Sequence, residues 1–212
     1  MPGVLLLGGT FSDLRDGDAD PRNRPDIPPH GMYRLLAASL TTAGFAVLRF
    51  DRRGCGESTG SRPDRATEIE DGLAAWRWLA AVTGVSSSIA IVGESAGAYV
   101  LCRMAAAGAT PAAAVLQGAL HRSIAGLIGF NAGELRILAR ADHSMQQTPD
   151  DVDLRVRERL SMTSFRRPFH TLYPSVVTDF LTRCLLPGGA PAAPVPAGER
   201  GNGLTGSPRS LP

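Results

Sequence analysis

Short apolar runs alternate with amphipathic stretches through the first half of the chain. Val4–Leu7 is a continuous apolar run ended by Gly8-Gly9, the pattern of a strand covered on both faces. A polar segment rich in Pro and Asp runs from Ser12 to His30. From Met32 to Ala43 apolar residues recur at helical spacing up to Gly44, a natural helix stop. Phe45–Phe50 predicts a second strand, and Asp51–Ser61 a glycine-rich loop. Ile69, Leu73, Trp76 and Leu79 space a helix over Glu68–Val82, with acids in its first turn where the macrodipole favours them. Ile89–Val92 predicts a third strand, Ala96–Ala107 a small-residue helix closed by Gly108, and Ala113–Leu116 a fourth strand. This alternation predicts an α/β fold: right-handed crossovers and a mainly parallel sheet with flanking helices.

Past Gln117 the rhythm weakens. Leu135–Leu138 is the candidate fifth strand, Val152–Leu160 a short helix, and Ser175–Cys184 a final amphipathic helix. From Pro187 to Pro212 the chain is rich in Pro, Gly and Ala with almost nothing large to bury, which predicts a disordered tail. The expected organisation is one domain over residues 1–186 followed by a tail over 187–212. A length of 212 residues is enough for a single domain with a sizeable core.

Composition excludes several function classes. The apolar fraction of 43% and charged fraction of 20% are ordinary for a globular protein, and a net charge of +2 leaves no electrostatic footprint for nucleic acid or acidic membrane. No apolar run reaches the ~20 residues of a spanning helix. Val4–Leu7 follows Met1-Pro2-Gly3 without a basic leader or cleavage site, so no signal peptide is expected. Cys55, Cys102 and Cys184 are far apart and form no CxxC pair, so reduced thiols and a cytoplasmic location are expected, with no metal or organic cofactor. Asp13-Leu14-Arg15-Asp16-Gly17-Asp18 lacks the ligand spacing of a calcium loop and is expected to be a polar surface loop.

The chemistry concentrates in Ile89-Ala90-Ile91-Val92-Gly93-Glu94-Ser95-Ala96-Gly97, a strand, a G-x-S-x-G and the start of a helix. A sharp strand-to-helix turn strains the serine backbone and lifts its hydroxyl to the sheet edge. Only glycines two residues to either side let the adjoining segments pass so closely. The Ala96 amide, opening the helix, points where an oxyanion would form. The competing reading is a tight structural turn with an incidental serine.

Two further segments carry a resemblance. Asp51-Arg52-Arg53-Gly54-Cys55-Gly56-Glu57-Ser58 and Leu5-Leu6-Leu7-Gly8-Gly9-Thr10-Phe11 resemble, in order with the serine turn, loops of the α/β-hydrolase fold family. The likeness runs from residue 4 to about residue 121. It implies a second oxyanion donor at the amide of Thr10 or Phe11, and a scaffold role for the Arg52-Arg53 loop. It also implies chain order serine, acid, histidine. On that pattern Glu134–His143 is similar to the last strand and histidine loop, which makes His143 the general base, and Pro168–Leu186, with Tyr173 and Leu181, suits the closing helix. His121 is the rival base, while His30 reads as a loop or capping residue and His170 as solvated.

The acid is unassigned. Fewer than 20 residues separate Leu116 from Leu135, so the cap and the acid-bearing seventh strand are expected to be missing, as is the first strand pair. Asp142 adjoins His143, Glu94 adjoins Ser95, Glu134 lies at the wrong end of its strand, and Asp150, Asp151 and Asp153 follow in a loop. None is a convincing orienting acid. The sequence therefore predicts a serine hydrolase of carboxylic esters or related small acyl compounds, acting through an acyl-enzyme on Ser95 and impaired without its acid. The alternative is a catalytically silent hydrolase-fold remnant that at most binds a small ligand or partner. A nucleotide-binding domain is disfavoured, because Gly8-Gly9-Thr10 is too short for a dinucleotide fingerprint and no Walker-type motif occurs.

Overall fold

The computed structural model describes residues 1–27, 29–82, 84–118 and 172–188. Its elements run β1 (Gly3–Leu7), α1 (Met32–Thr42), β2 (Ala46–Leu48), α2 (Arg65–Ala81), β3 (Ile89–Glu94), α3 (Ala96–Ala106), β4 (Ala113–Gln117) and α4 (Tyr173–Leu185). The strands form one parallel sheet in the order β2-β1-β3-β4.

Strand periodicity explains why β1 and β3 are apolar throughout. Val4 and Leu6, with Ala90 and Val92, face a core built with Leu36 and Leu40 of α1 and Val177 and Leu181 of α4. Leu5 and Leu7, with Ile89 and Ile91, face a second core built with Leu79 of α2 and Val100, Leu101 and Met104 of α3. Helices therefore cover both faces of the sheet in three layers. On the first face α1 and α4 are tied directly by a 2.8 Å hydrogen bond between Ser39 Oγ and Thr178 Oγ1.

Three expectations need correction. The second strand is only Ala46–Leu48, because β1 pairs with it only through Gly3–Leu5. Beyond that point Arg49 turns to an ion pair with Asp16, and the Arg52 amide donates to Asp13 O at 2.8 Å. The helix predicted from Glu68 begins at Arg65, since Asp64 accepts the Thr67 amide at 2.8 Å and caps it. A cap lies upstream of the first apolar position, so hydrophobic spacing alone starts the helix late.

The third correction concerns the Asp-rich loop, which is a surface loop only in part: Arg15 is exposed, but key carboxylates turn inward. Asp13 is fully buried, and Asp20 and Asp51 nearly so. Asp13 pairs with Arg62 at 2.9 Å; Asp20 pairs with Arg22 and accepts the Gly56 amide; Asp51 pairs with Arg15 at 2.7 Å and accepts the amides of Arg15 and Glu57. Buried carboxylates are tolerated only when satisfied in this way. Together they bolt the segment after β1 to the glycine-rich loop after β2.

The predicted strand Leu135–Leu138, the helix Val152–Leu160 and the tail from residue 189 onward lie outside the described residues. The closing helix spans Tyr173–Leu185, two residues earlier than its apolar spacing suggested, with a proline in its first turn, where the missing amide costs nothing. No helix among the described residues is long and apolar enough to cross a membrane.

Candidate active site

The sheet order creates a crevice. From β1 the chain moves outward to β2 and then returns past β1 to β3, so its winding reverses between β1 and β3. Ligands of open α/β sheets bind at the carboxyl ends of the strands flanking such a switch point. Here those ends carry Gly8-Gly9 after β1 and Ser95 after β3.

Ser95 has φ 51° and ψ −110°, and is the only non-glycine residue with positive φ among those described. Such a backbone costs roughly 1–3 kcal/mol and persists only when its surroundings over-determine it. They do so here. The Ser95 amide donates to Gln117 O at 2.8 Å, the last rung between β3 and β4, and Ser95 O accepts from Ala98 N at 3.1 Å. The flanking glycines are required by space. A Cβ on Gly93 would lie 2.6 Å from Gly97 O, and one on Gly97 would lie 2.1 Å from Leu7 O. The helix thus sits hard against the end of β1, with Ser95 half-buried at the apex.

The facing turn after β1 is held from beneath. The Gly9 amide donates to Glu94 Oε2 at 2.6 Å and Ser12 Oγ donates to the same oxygen at 2.9 Å. A Cβ on Gly9 would lie 2.3 Å from that oxygen, so only glycine admits the clamp. Ser12 N donates to Gly9 O at 3.1 Å, and Arg52 Nη2 donates to Gly8 O at 2.8 Å. From α1, Tyr33 Oη donates to Leu7 O at 2.7 Å. Thr10 and Phe11 ride on this turn, Thr10 exposed and Phe11 stacked under the Arg24 guanidinium at 4.6 Å. Across the crevice the Ala96 amide opens α3, and a first-turn N–H has no acceptor within its own helix. Glu94 Oε2 is thereby engaged by the turn.

His30 lies in the loop before α1, as expected, but its ring is buried. Its Nδ1 lies 3.6 Å from Asp18 Oδ1. Asp18 holds the loop leading into α1, accepting the amides of His30 and Gly31 at 2.6 Å each. Burial pushes the His30 imidazole below its ordinary value, opposed by the charges of Asp18 and Glu94. Burial likewise pushes the Cys55 and Cys102 thiols up, away from nucleophilic thiolates. Arg52 is a scaffold residue in its contacts, spanning Gly8 O, Asp13 and Glu68.

His143, His121 and His170 lie outside the described residues, as do Glu134, Asp142, Asp150, Asp151 and Asp153. Among the described residues no cluster of three or more His, Cys, Asp or Glu could hold a metal ion. Sequence reading missed Ser12 and Tyr33, because their roles depend on partners far along the chain. The one available signal was a tyrosine in the first turn of an otherwise aliphatic helix face.

Comparison with curated protein sequences returns no match. Similar solved structures include an esterase from Pyrococcus furiosus, 25% identical over 56% of this chain and 42% of that one, with a TM-score of 0.42. Others are the α/β hydrolase GrgF from Penicillium sp. (23% identity, 56% and 37% coverage, TM-score 0.45) and an α/β serine hydrolase without lid from Xanthomonas campestris (26%, 55% and 48%, TM-score 0.40). The chain spans less than half the length of these three proteins. A model of the X-Pro dipeptidyl-peptidase (S15) family matches residues 12–130, more than half of the chain and including the serine turn. With its parallel sheet, strained serine and glycine turn, the chain has the α/β-hydrolase fold and belongs to the X-Pro dipeptidyl-peptidase (S15) family.

Proposed function

We propose that the chain is a serine hydrolase of carboxylic esters or related acyl compounds, with Ser95 as nucleophile. The observation that carries this is the backbone of Ser95: a strained, positive-φ serine at the sheet's switch point, enforced by Gly93 and Gly97. A serine in a merely structural turn has no reason to accept that cost. In the proposed reaction Ser95 Oγ attacks the acyl carbon while its proton passes to His143. The amides of Ala96 and of Thr10 or Phe11 receive the negative charge that develops on the carbonyl oxygen. The proton then goes to the departing alcohol or amine. Water, deprotonated by the same imidazole, releases the acid and restores the serine.

The family match widens the acyl class to peptides, whose amide bond uses the same steps. No carboxylate is assigned to orient His143, so turnover is expected to run about 10⁴-fold below that of a complete triad. Hydrolysis of short-chain p-nitrophenyl esters tests the reading. The wild-type chain should give slow, saturable turnover, and Ser95→Ala should lower it about 10²-fold further, the gap between losing the acid alone and losing the serine. Equal rates for the two folded proteins would favour a silent chain that only binds small acyl ligands.

A further inference from the structure

The nucleophile's amide is held by a residue whose own side chain is buried and polar. Gln117 ends β4, and its carbonyl takes the Ser95 amide. Gln117 is 5% exposed, in a region lined by Met32 and Tyr173, which are 2% and 3% exposed. Tyr173 Oη donates to Gln117 Oε1, and Gln117 Nε2 lies 3.4 Å from Met32 Sδ. Tyr173 is the first residue of α4, and its neighbours on that helix pack into the apolar core beneath the sheet. A glutamine and a tyrosine there are costly unless they satisfy one another, and losing one partner strands the other.

We propose that Tyr173 is a positioning residue for Ser95. Its hydroxyl locks the Gln117 side chain, the locked residue holds its carbonyl in place, and that carbonyl fixes the strained serine. The link joins the closing helix to the nucleophile turn. It mirrors Tyr33, which reaches from the same helical layer to Leu7 O beside the opposite turn. One tyrosine thus supports each side of the crevice. The proposal rests on the serine-hydrolase reading for its purpose, but not for its test.

Amide hydrogen exchange followed by NMR reads the linkage without any catalysis. Tyr173→Phe keeps the ring and removes only the hydroxyl. It should speed exchange of the Ser95 amide about tenfold, as expected for a lost buried hydrogen bond, while Ile91 and Val92 in β3 exchange as before. Gln117→Leu should act likewise. The double variant should exchange no faster than the quicker single variant, because the two groups act as one unit. Gln117→Glu, which keeps a side-chain oxygen for the Tyr173 hydroxyl, should largely preserve protection. If Ser95 keeps wild-type protection in Tyr173→Phe, or its loss merely follows that of Ile91 and Val92, the linkage is absent and Tyr173 is only a core residue. If the linkage holds but Ser95→Ala leaves ester hydrolysis unchanged, the hydrolase reading fails and the positioning does not.

Discussion

Gly97 and Gly108 show how differently two glycines can matter. A side chain at Gly97 would meet the backbone oxygen of Leu7 at 2.1 Å, where nothing can give way. Gly108 ends α3 with φ 94° and open space around it. Gly108→Ala should therefore cost only the conformational penalty, about 1–2 kcal/mol. Gly97→Ala should cost more, upwards of about 3 kcal/mol, because it forces α3 away from β1. Urea unfolding of the two variants checks this, and equal losses would mean that the helix does not seat on β1 as described. At this scale the sequence was legible wherever the constraint was local. The spacing of Gly93, Ser95 and Gly97 is a short-range requirement and could be read directly. The clamp of Glu94 on Gly9 and Ser12, and the reach of Tyr33 to Leu7, join residues more than 25 positions apart. No local pattern encodes them.

Among the elements, helices and strands were read well and the loops were not. Hydrophobic spacing located β1, α1, β3, α3 and β4 to within one or two residues, because each is apolar on the faces it buries. It misread the segment after β1 as a surface loop, because Asp residues ordinarily signal solvent. Here Asp13 and Asp20 of that segment, with Asp51 of the loop after β2, sit in the interior on arginine and backbone partners. The Arg15 guanidinium beside Asp51 holds its carboxyl down at about 2, and Arg22 holds Asp20 lower still. These groups are more acidic folded than unfolded, so the stability they add is full above the ordinary aspartate value of 3.8. It is lost as pH falls from there through about 2. Acid titration of stability should show a decline in that window, and Asp51→Asn should flatten it while lowering stability at neutral pH. An unchanged acid limb in Asp51→Asn would mean that the Arg15 pair does not anchor the loop.

For the molecule as a whole, the alternation of strands and helices was enough to predict a parallel α/β sheet, and the topology then adds what alternation cannot. Strand order is set by which edges meet, and the pairing of β1 with β3 in the order β2-β1-β3-β4 brings the Gly8-Gly9 turn and Ser95 to the same crevice. The proposed activity requires Ser95 to be chemically reactive. A fluorophosphonate probe, which phosphonylates an activated serine and spares ordinary ones, reads this most directly, with the adduct mapped by peptide mass spectrometry. One adduct on Ser95 in the folded wild-type chain, absent from Ser95→Ala, is the predicted result. A folded wild-type chain that stays unlabelled, or an adduct that persists in Ser95→Ala, would contradict it.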